Sequence, residues 1–417
     1  MDTWGCDYAL LDGQDRLLEL PYCYRDNRTN GTPEILEPFK PLIYERTGTQ
    51  FLTFATVNQL IASGRQPGGA LPKARAMLFI GDFLHFLLGA DKVNEYTVAS
   101  ISQLVDTRQK RWDDEMFEAL GLPRKICQRL VHSGDCIGEL SRAVLLETGL
   151  EGPVKIIAPA VHDTTSAILA SPADGENWGY ISSGTWSLAG VELDHEVNTP
   201  EALKINASNS GGALGRNLFL KNVMGLWLIQ QCRKDWCAEG NELCYEEIVN
   251  KAGQARGFEG FIDPDDAGFF APSDMVDQIR AYLRKTGQKV PDRGDVGAVA
   301  RIVYESLAMK YGYVLERLCA VSGKRVNALH IIGGGSRNDL LNRMTASVMG
   351  VPVVAGPTEA TAIGNGMMQA YGCGQVGTLQ EIRGIIAASF ETRRFSPEDT
   401  GAWADAYQCF RRVTGLD

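Results

Sequence analysis

Residues 154–169, VKIIAPAVHDTTSAIL, decide the fold class. Val154 to Val161 is an apolar run of strand length, His162-Asp163 breaks it, and the helix-like TTSAILAS follows. A second unit of the same form starts at Ala328 to Ile332 (ALHII), turns at Gly333-Gly334-Gly335 and opens a helix from about Asn338. Between them lies Trp178 to Val191 (WGYISSGTWSLAGV), which alternates like a strand, breaks at Ser182-Ser183-Gly184-Thr185 and resumes. That pattern predicts a hairpin with a small-residue turn. Strand and helix patterns alternate along most of the chain, which argues for an α/β protein.

Outward from this centre, Tyr8 to Leu11 is a short apolar run ending at Asp12-Gly13, a turn signal. Residues 51–62 and 76–90 carry apolar positions at helical spacing, and Val299 to Val321 predicts a long helix. A chain of 417 residues is too long for one ordinary domain. The expected boundary falls near residue 167, giving domains 1–167 and 168–417.

Composition excludes several classes. Apolar residues make up 44% and charged residues 22%, which is ordinary globular usage. The net charge is -10, and no run of Lys and Arg forms a basic stripe, so no nucleic-acid partner is expected. The longest apolar stretch, Ala76 to Ala90, is interrupted by Asp82 and His85 and is no membrane span. Asp2 and Asp7 follow Met1 without a basic or apolar run, so no signal peptide is expected. Ten cysteines form no CxxC pair and do not cluster with the five histidines. That argues against zinc and for a reducing cytoplasm.

Several short segments could carry chemistry. Ser182-Ser183-Gly184-Thr185 could aim hydroxyls and backbone N–H groups at a phosphate, or be an ordinary polar turn. Gly333-Gly334-Gly335 lets a ligand approach the backbone at a helix start, or is simply a tight turn. Asp163 could cap its helix, act as a base at a strand end, or do both. Asp2-Thr3-Trp4-Gly5 with Asp7 offers the aromatic face and carboxylates that sugars favour. Arg25-Asp26-Asn27-Arg28 reads as an exposed turn, and Asn222 could cap a following helix or hold a ligand hydroxyl. Together these features suggest phosphoryl transfer to a polyol, without a Walker lysine motif or a protein-kinase motif set.

The chain resembles the FGGY family of carbohydrate kinases in DTWGCDYALLD (2–12), YRDNRTNG (24–31), GTQFLTF (48–54) and NEYT (94–97). The similarity continues through HDTTSA (162–167), YISSGTWSL (180–188), LKNVMGLWLIQQCRKDW (220–236), LHIIGGGSRNDLLN (329–342) and AGPTEATAIGN (355–365). This resemblance implies two actin-like (ribonuclease-H-like) ATPase domains with an interdomain cleft. It implies that Asp163 takes the proton from a sugar hydroxyl, and that Gly5, His162, Thr164 and Asn222 contact the sugar. Thr185, Gln230, Gly334 and Gly335 are similar to nucleotide-contacting positions. The implied partners are ATP, Mg2+ with no assigned ligand residues, and a small sugar. The protein is expected to be a monomer or small homo-oligomer.

L-rhamnulose, phosphorylated at its 1-hydroxyl, is the expected substrate. L-fuculose, a pentulose, or a catalytically dead sugar-binding role are the alternatives. Three departures stand out. The family's opening Asp-x-Gly phosphate loop has no counterpart after Met1, so the first domain is expected to be N-terminally incomplete and turnover poor. Val161 replaces a small residue, and Ser210 replaces a Glu.

Overall fold

A computed structural model describes Met1–Leu416. The chain forms two compact units, and the α/β class is as expected. The first comprises Met1–Pro172, Glu192–Lys221 and Ala360–Ala388, and the second Ala173–Val191, Asn222–Glu359 and Ser389–Asp417. The sequence reading divides the chain once, near residue 167. The structure returns two later stretches to the first unit.

In the first unit, Tyr8–Leu11 pairs antiparallel with Ala76–Phe79, Tyr8 opposite Phe79. Tyr8, Leu10, Met77 and Phe79 enter a core with Leu60 of the helix Thr56–Arg65 and with Val98. Residues 76–90 are therefore not one helix. Ala76–Phe79 is a strand and the helix runs Ile80–Leu88. A continuous apolar run fits either state, and a partner strand decides it.

Two long-range ties explain why the late stretches belong here. Helix Ala360–Gly372 lies so close to helix Asp163–Leu169 that a Cβ at Gly364 would stand 1.9 Å from the Ser166 carbonyl oxygen. Arg383 of helix Leu379–Ser389 grips Glu192 with two buried hydrogen bonds of 3.0 and 2.8 Å. This fork geometry is the strong form of an ion pair.

The second unit is built on a sheet in which Trp186–Leu193, Trp178–Ser183, Ala328–Ile332, Val353–Ala355 and Arg393–Phe395 lie in that order. Ala328–Ile332 runs parallel to both neighbours, and the other pairings are antiparallel. The predicted hairpin is present, with its break narrowed to Gly184-Thr185. The long helix spans Val296–Ser322, started by Asp295 accepting from the Ala298 N–H and ended by Gly323 at φ 71°. Among the described residues no helix is long and apolar enough to cross a membrane.

Candidate active site

The segment before Asp163 leaves its strand early. Lys155–Ile157 pairs with Cys136–Glu139, but residues 158–161 join no named strand. The N-terminal DTWG segment takes over. The Thr3 N–H donates to Val161 O at 2.9 Å, and the Asp163 N–H donates to Thr3 O at 3.0 Å. This lays Gly5 against the histidine, where a Cβ would sit 2.2 Å from Ile101 Cδ1 and 3.7 Å from His162 Cδ2. A side chain there would have to displace the tip of Ile101.

Asp7 holds the same segment from behind. It is buried and accepts from the Trp4 indole N–H at 2.8 Å, the Tyr24 N–H at 3.1 Å and Gln59 Nε2 at 2.9 Å. Trp4 is thereby fixed at its nitrogen while 47% of the residue stays accessible. An aromatic face held this way can receive the C–H side of a sugar. Asn365 of helix Ala360–Gly372 donates to Asp2 and secures the other end.

Asp163 is the first residue of its helix, and His162 takes the N-cap position without a side-chain capping bond. The capping reading of Asp163 is thus corrected. Its Oδ1 instead accepts from the Thr164 N–H at 2.6 Å and the Thr164 hydroxyl at 3.3 Å. Its side chain remains 45% accessible. Desolvation by the surrounding protein raises the Asp163 carboxyl above the usual carboxylate range, and His162 opposes the rise. His162 is buried, which lowers its pKa, so a neutral imidazole places Nε2 3.8 Å from Asp163 Oδ1.

The structure therefore brings Gly5, His162, Asp163 and Thr164 together in the first unit. Asn222 lies in the second unit, inside strand Asn217–Met224. The helix after it, Trp227–Ala238, opens at Leu226 with no side-chain cap, so Asn222 does not cap it. The Arg25–Arg28 cluster is also more than an exposed turn. Arg28 donates to Ser63 Oγ at 3.0 Å and Gln59 Oε1 at 2.9 Å, and its guanidinium covers the Tyr22 ring.

The expected nucleotide residues converge within the second unit. Thr185 Oγ1 donates to Gln230 Oε1 at 3.2 Å. The Gly225 N–H holds Thr185 O at 3.1 Å and the Leu226 N–H holds Gly184 O at 2.9 Å. The glycine turn abuts this hairpin: Gly333 has φ 82°, and a Cβ at Gly335 would stand 2.0 Å from Ser183 Oγ. Gly184, Gln230, Gly334 and Gly335 line one cavity of about 810 Å³, a size suited to a small ligand.

Tyr245, Asn250, Arg337 and Asp339 also line that cavity and were not singled out from the sequence. Arg337, two residues beyond the third glycine, had a signal in its position. Tyr245 had none, although Arg233 stacks over its ring at 5.1 Å. Among the described residues no group of three or more His, Cys, Asp or Glu could hold a metal ion.

Two family models match the chain: the N-terminal domain of the FGGY family of carbohydrate kinases over residues 2–170, and its C-terminal domain over residues 179–373. A rhamnulokinase of Bacteroides thetaiotaomicron is 43% identical over 413 residues, covering 99% of this chain and 84% of the relative. One from Halalkalibacterium halodurans is 38% identical, covering 96% of this chain and 84% of the relative. A solved xylulose kinase from Lactobacillus acidophilus matches with a TM-score of 0.79 at 16% identity, covering 100% of this chain and 83% of that one. This last likeness concerns the fold.

Proposed function

The chain belongs to the FGGY family of carbohydrate kinases, and on that premise we propose that it transfers the γ-phosphate of ATP to the 1-hydroxyl of L-rhamnulose. The observation behind this reading is the grouping of an accessible Asp163 carboxylate with His162, Thr164 and Gly5. The sugar identity rests on relatives named rhamnulokinase that match nearly the whole chain.

Asp163 is the general base in this reading. Oδ1 is occupied by Thr164, so Oδ2 accepts the hydroxyl proton as the sugar oxygen attacks phosphorus. A carboxyl whose pKa is lifted toward working pH takes that proton more readily. His162, Thr164, Gly5 and Asn222 orient the ketose, and Trp4 offers an apolar face. Thr185, Gln230, Gly334 and Gly335 bind the nucleotide around the cavity of the second unit, where backbone N–H groups suit phosphate oxygens. Mg2+, if bound with ATP, would supply neutralisation of phosphate charge. In this reading most sugar-handling residues belong to the first unit, Asn222 excepted, and the nucleotide-handling residues to the second. The ten cysteines form no CxxC pair, and this usage fits the cytoplasmic location proposed for the enzyme; its proposed state is a monomer or small homo-oligomer.

The test is ADP release by the purified chain on a ketose panel. L-rhamnulose should give the highest kcat/KM. Preference for L-fuculose or D-ribulose would reassign the substrate, because one pocket contact shifts discrimination by only about 1–3 kcal/mol. Ketose binding without any turnover would favour a sugar-binding role.

A further inference from the structure

We infer that Glu95 and Thr97 form a buried brace that sets the position of the reacting carboxylate, with Thr97 Oγ1 as the positioning atom. This deepens the kinase reading above and rests on it. Residues 161–163 join no named strand, so their backbone N–H groups need other acceptors. Two of them find side chains instead. Val161 N–H donates to Glu95 Oε2 at 3.2 Å, and His162 N–H donates to Thr97 Oγ1 at 3.1 Å. Asp163 N–H goes to Thr3 O.

The brace has a defined polarity. Thr97 has one hydroxyl hydrogen, and it is given to Glu95 Oε2. The lone pairs are thereby left facing His162, where an N–H must be received. Glu95 also takes the Thr97 N–H at 2.9 Å, which caps helix Tyr96–Ala99 and fixes both residues. Behind it, the Glu95 N–H reaches Asp82 at 3.2 Å, and Asn94 donates at 3.2 Å to Met77 O in the core strand Ala76–Phe79. Glu95 and Thr97 are each only 1% accessible, so neither meets a ligand. They act through the backbone of His162 and through it on Asp163.

Catalytic geometry tolerates little displacement: about 1 Å of misplacement lowers a rate about a hundredfold. The test compares the full chain with Thr97→Val, which keeps the volume and removes the hydroxyl, and Thr97→Ser, which keeps the hydroxyl. Calorimetry reads the Kd for L-rhamnulose and for ATP, steady-state kinetics reads kcat, and a thermal melt checks folding. Thr97→Val should lower kcat about tenfold or more and weaken ketose binding with ATP binding unchanged. Thr97→Ser should stay within about twofold of wild type on every measure. Equal kcat and ketose Kd in Thr97→Val would overturn the inference. So would a Thr97→Ser that falls as far as Thr97→Val, or an equal loss of ATP affinity. A wild-type chain that binds no ketose would defeat the kinase reading itself, a failure visible before any variant is compared.

Discussion

The two strand-to-helix turns look alike in sequence and are built differently. Ile332–Gly335 ends a strand flanked by parallel neighbours on both sides, so backbone ladders fix it. Its glycines then bring bare backbone to the edge of a cavity. The turn at 161–163 has left its sheet; it keeps one backbone bridge, to Thr3, and the Val161 and His162 N–H groups go to the side chains of Glu95 and Thr97. A phosphate-binding turn presents backbone, so it suits a ladder and small residues. A base presents a side chain, and its backbone must be held from behind.

That contrast predicts opposite sensitivities. The largest effect belongs to Asp163→Asn, which keeps shape and removes the proposed base. We expect kcat to fall by about 10²–10⁴-fold, with ketose Kd changed only a few-fold and ATP affinity untouched. A loss smaller than about tenfold would place the base elsewhere.

How far the sequence foretold these two regions follows from where their supports lie. The glycine turn, the hairpin and the helix Val296–Ser322 were legible because each is local: spacing, turn residues and caps lie within a few positions. Asp163 was legible only as the start of a helix: the strand expected to run up to Val161 stops at Ile157, and cap and base could not be told apart locally. Its brace was not legible. Glu95 is 66 residues from Val161 and Thr97 is 65 from His162, and NEYT has no periodicity to betray a buried acceptor. The strand Ala76–Phe79 was read as helix because its partner at Tyr8–Leu11 lies outside any local window. Arg383 and Glu192, 191 positions apart, tie late sequence into the first unit in a way no linear boundary expresses.

The brace also carries a pH signature of somewhat smaller size. Burial lifts the Glu95 carboxyl from 4.5 to about 7. A raised carboxyl binds its proton more tightly folded than unfolded. Stability from this group is therefore greatest below pH 4.5, declines as pH climbs to about 7 and is level above that. The span is on the order of 3–4 kcal/mol at most. Asp82, raised by burial and then by Glu95, adds a decline of the same sign. Urea unfolding across this range should show the fall, and Glu95→Gln should flatten it. An unchanged slope in Glu95→Gln would show that Glu95 does not titrate in this window.

The smallest effects separate the roles of two adjacent glycines. A methyl at Gly335 would stand 2.0 Å from Ser183 Oγ, so the hairpin or the turn must move. Gly335→Ala should therefore lower stability by about 1–3 kcal/mol, ligand or no ligand. At Gly334 a Cβ meets nothing within 4 Å, and the residue lines the cavity. Gly334→Ala should leave the Tm of the free protein unchanged, yet weaken ATP binding several-fold by standing where phosphate oxygens approach the backbone. Calorimetry with ATP and with L-rhamnulose separates the outcomes. Loss of ATP affinity alone would assign this turn to the nucleotide. Wild-type ATP affinity in Gly334→Ala would mean that the cavity receives its ligand away from the glycines, by way of Tyr245 and Asn250, and the likeness between the two turns would then be one of form only.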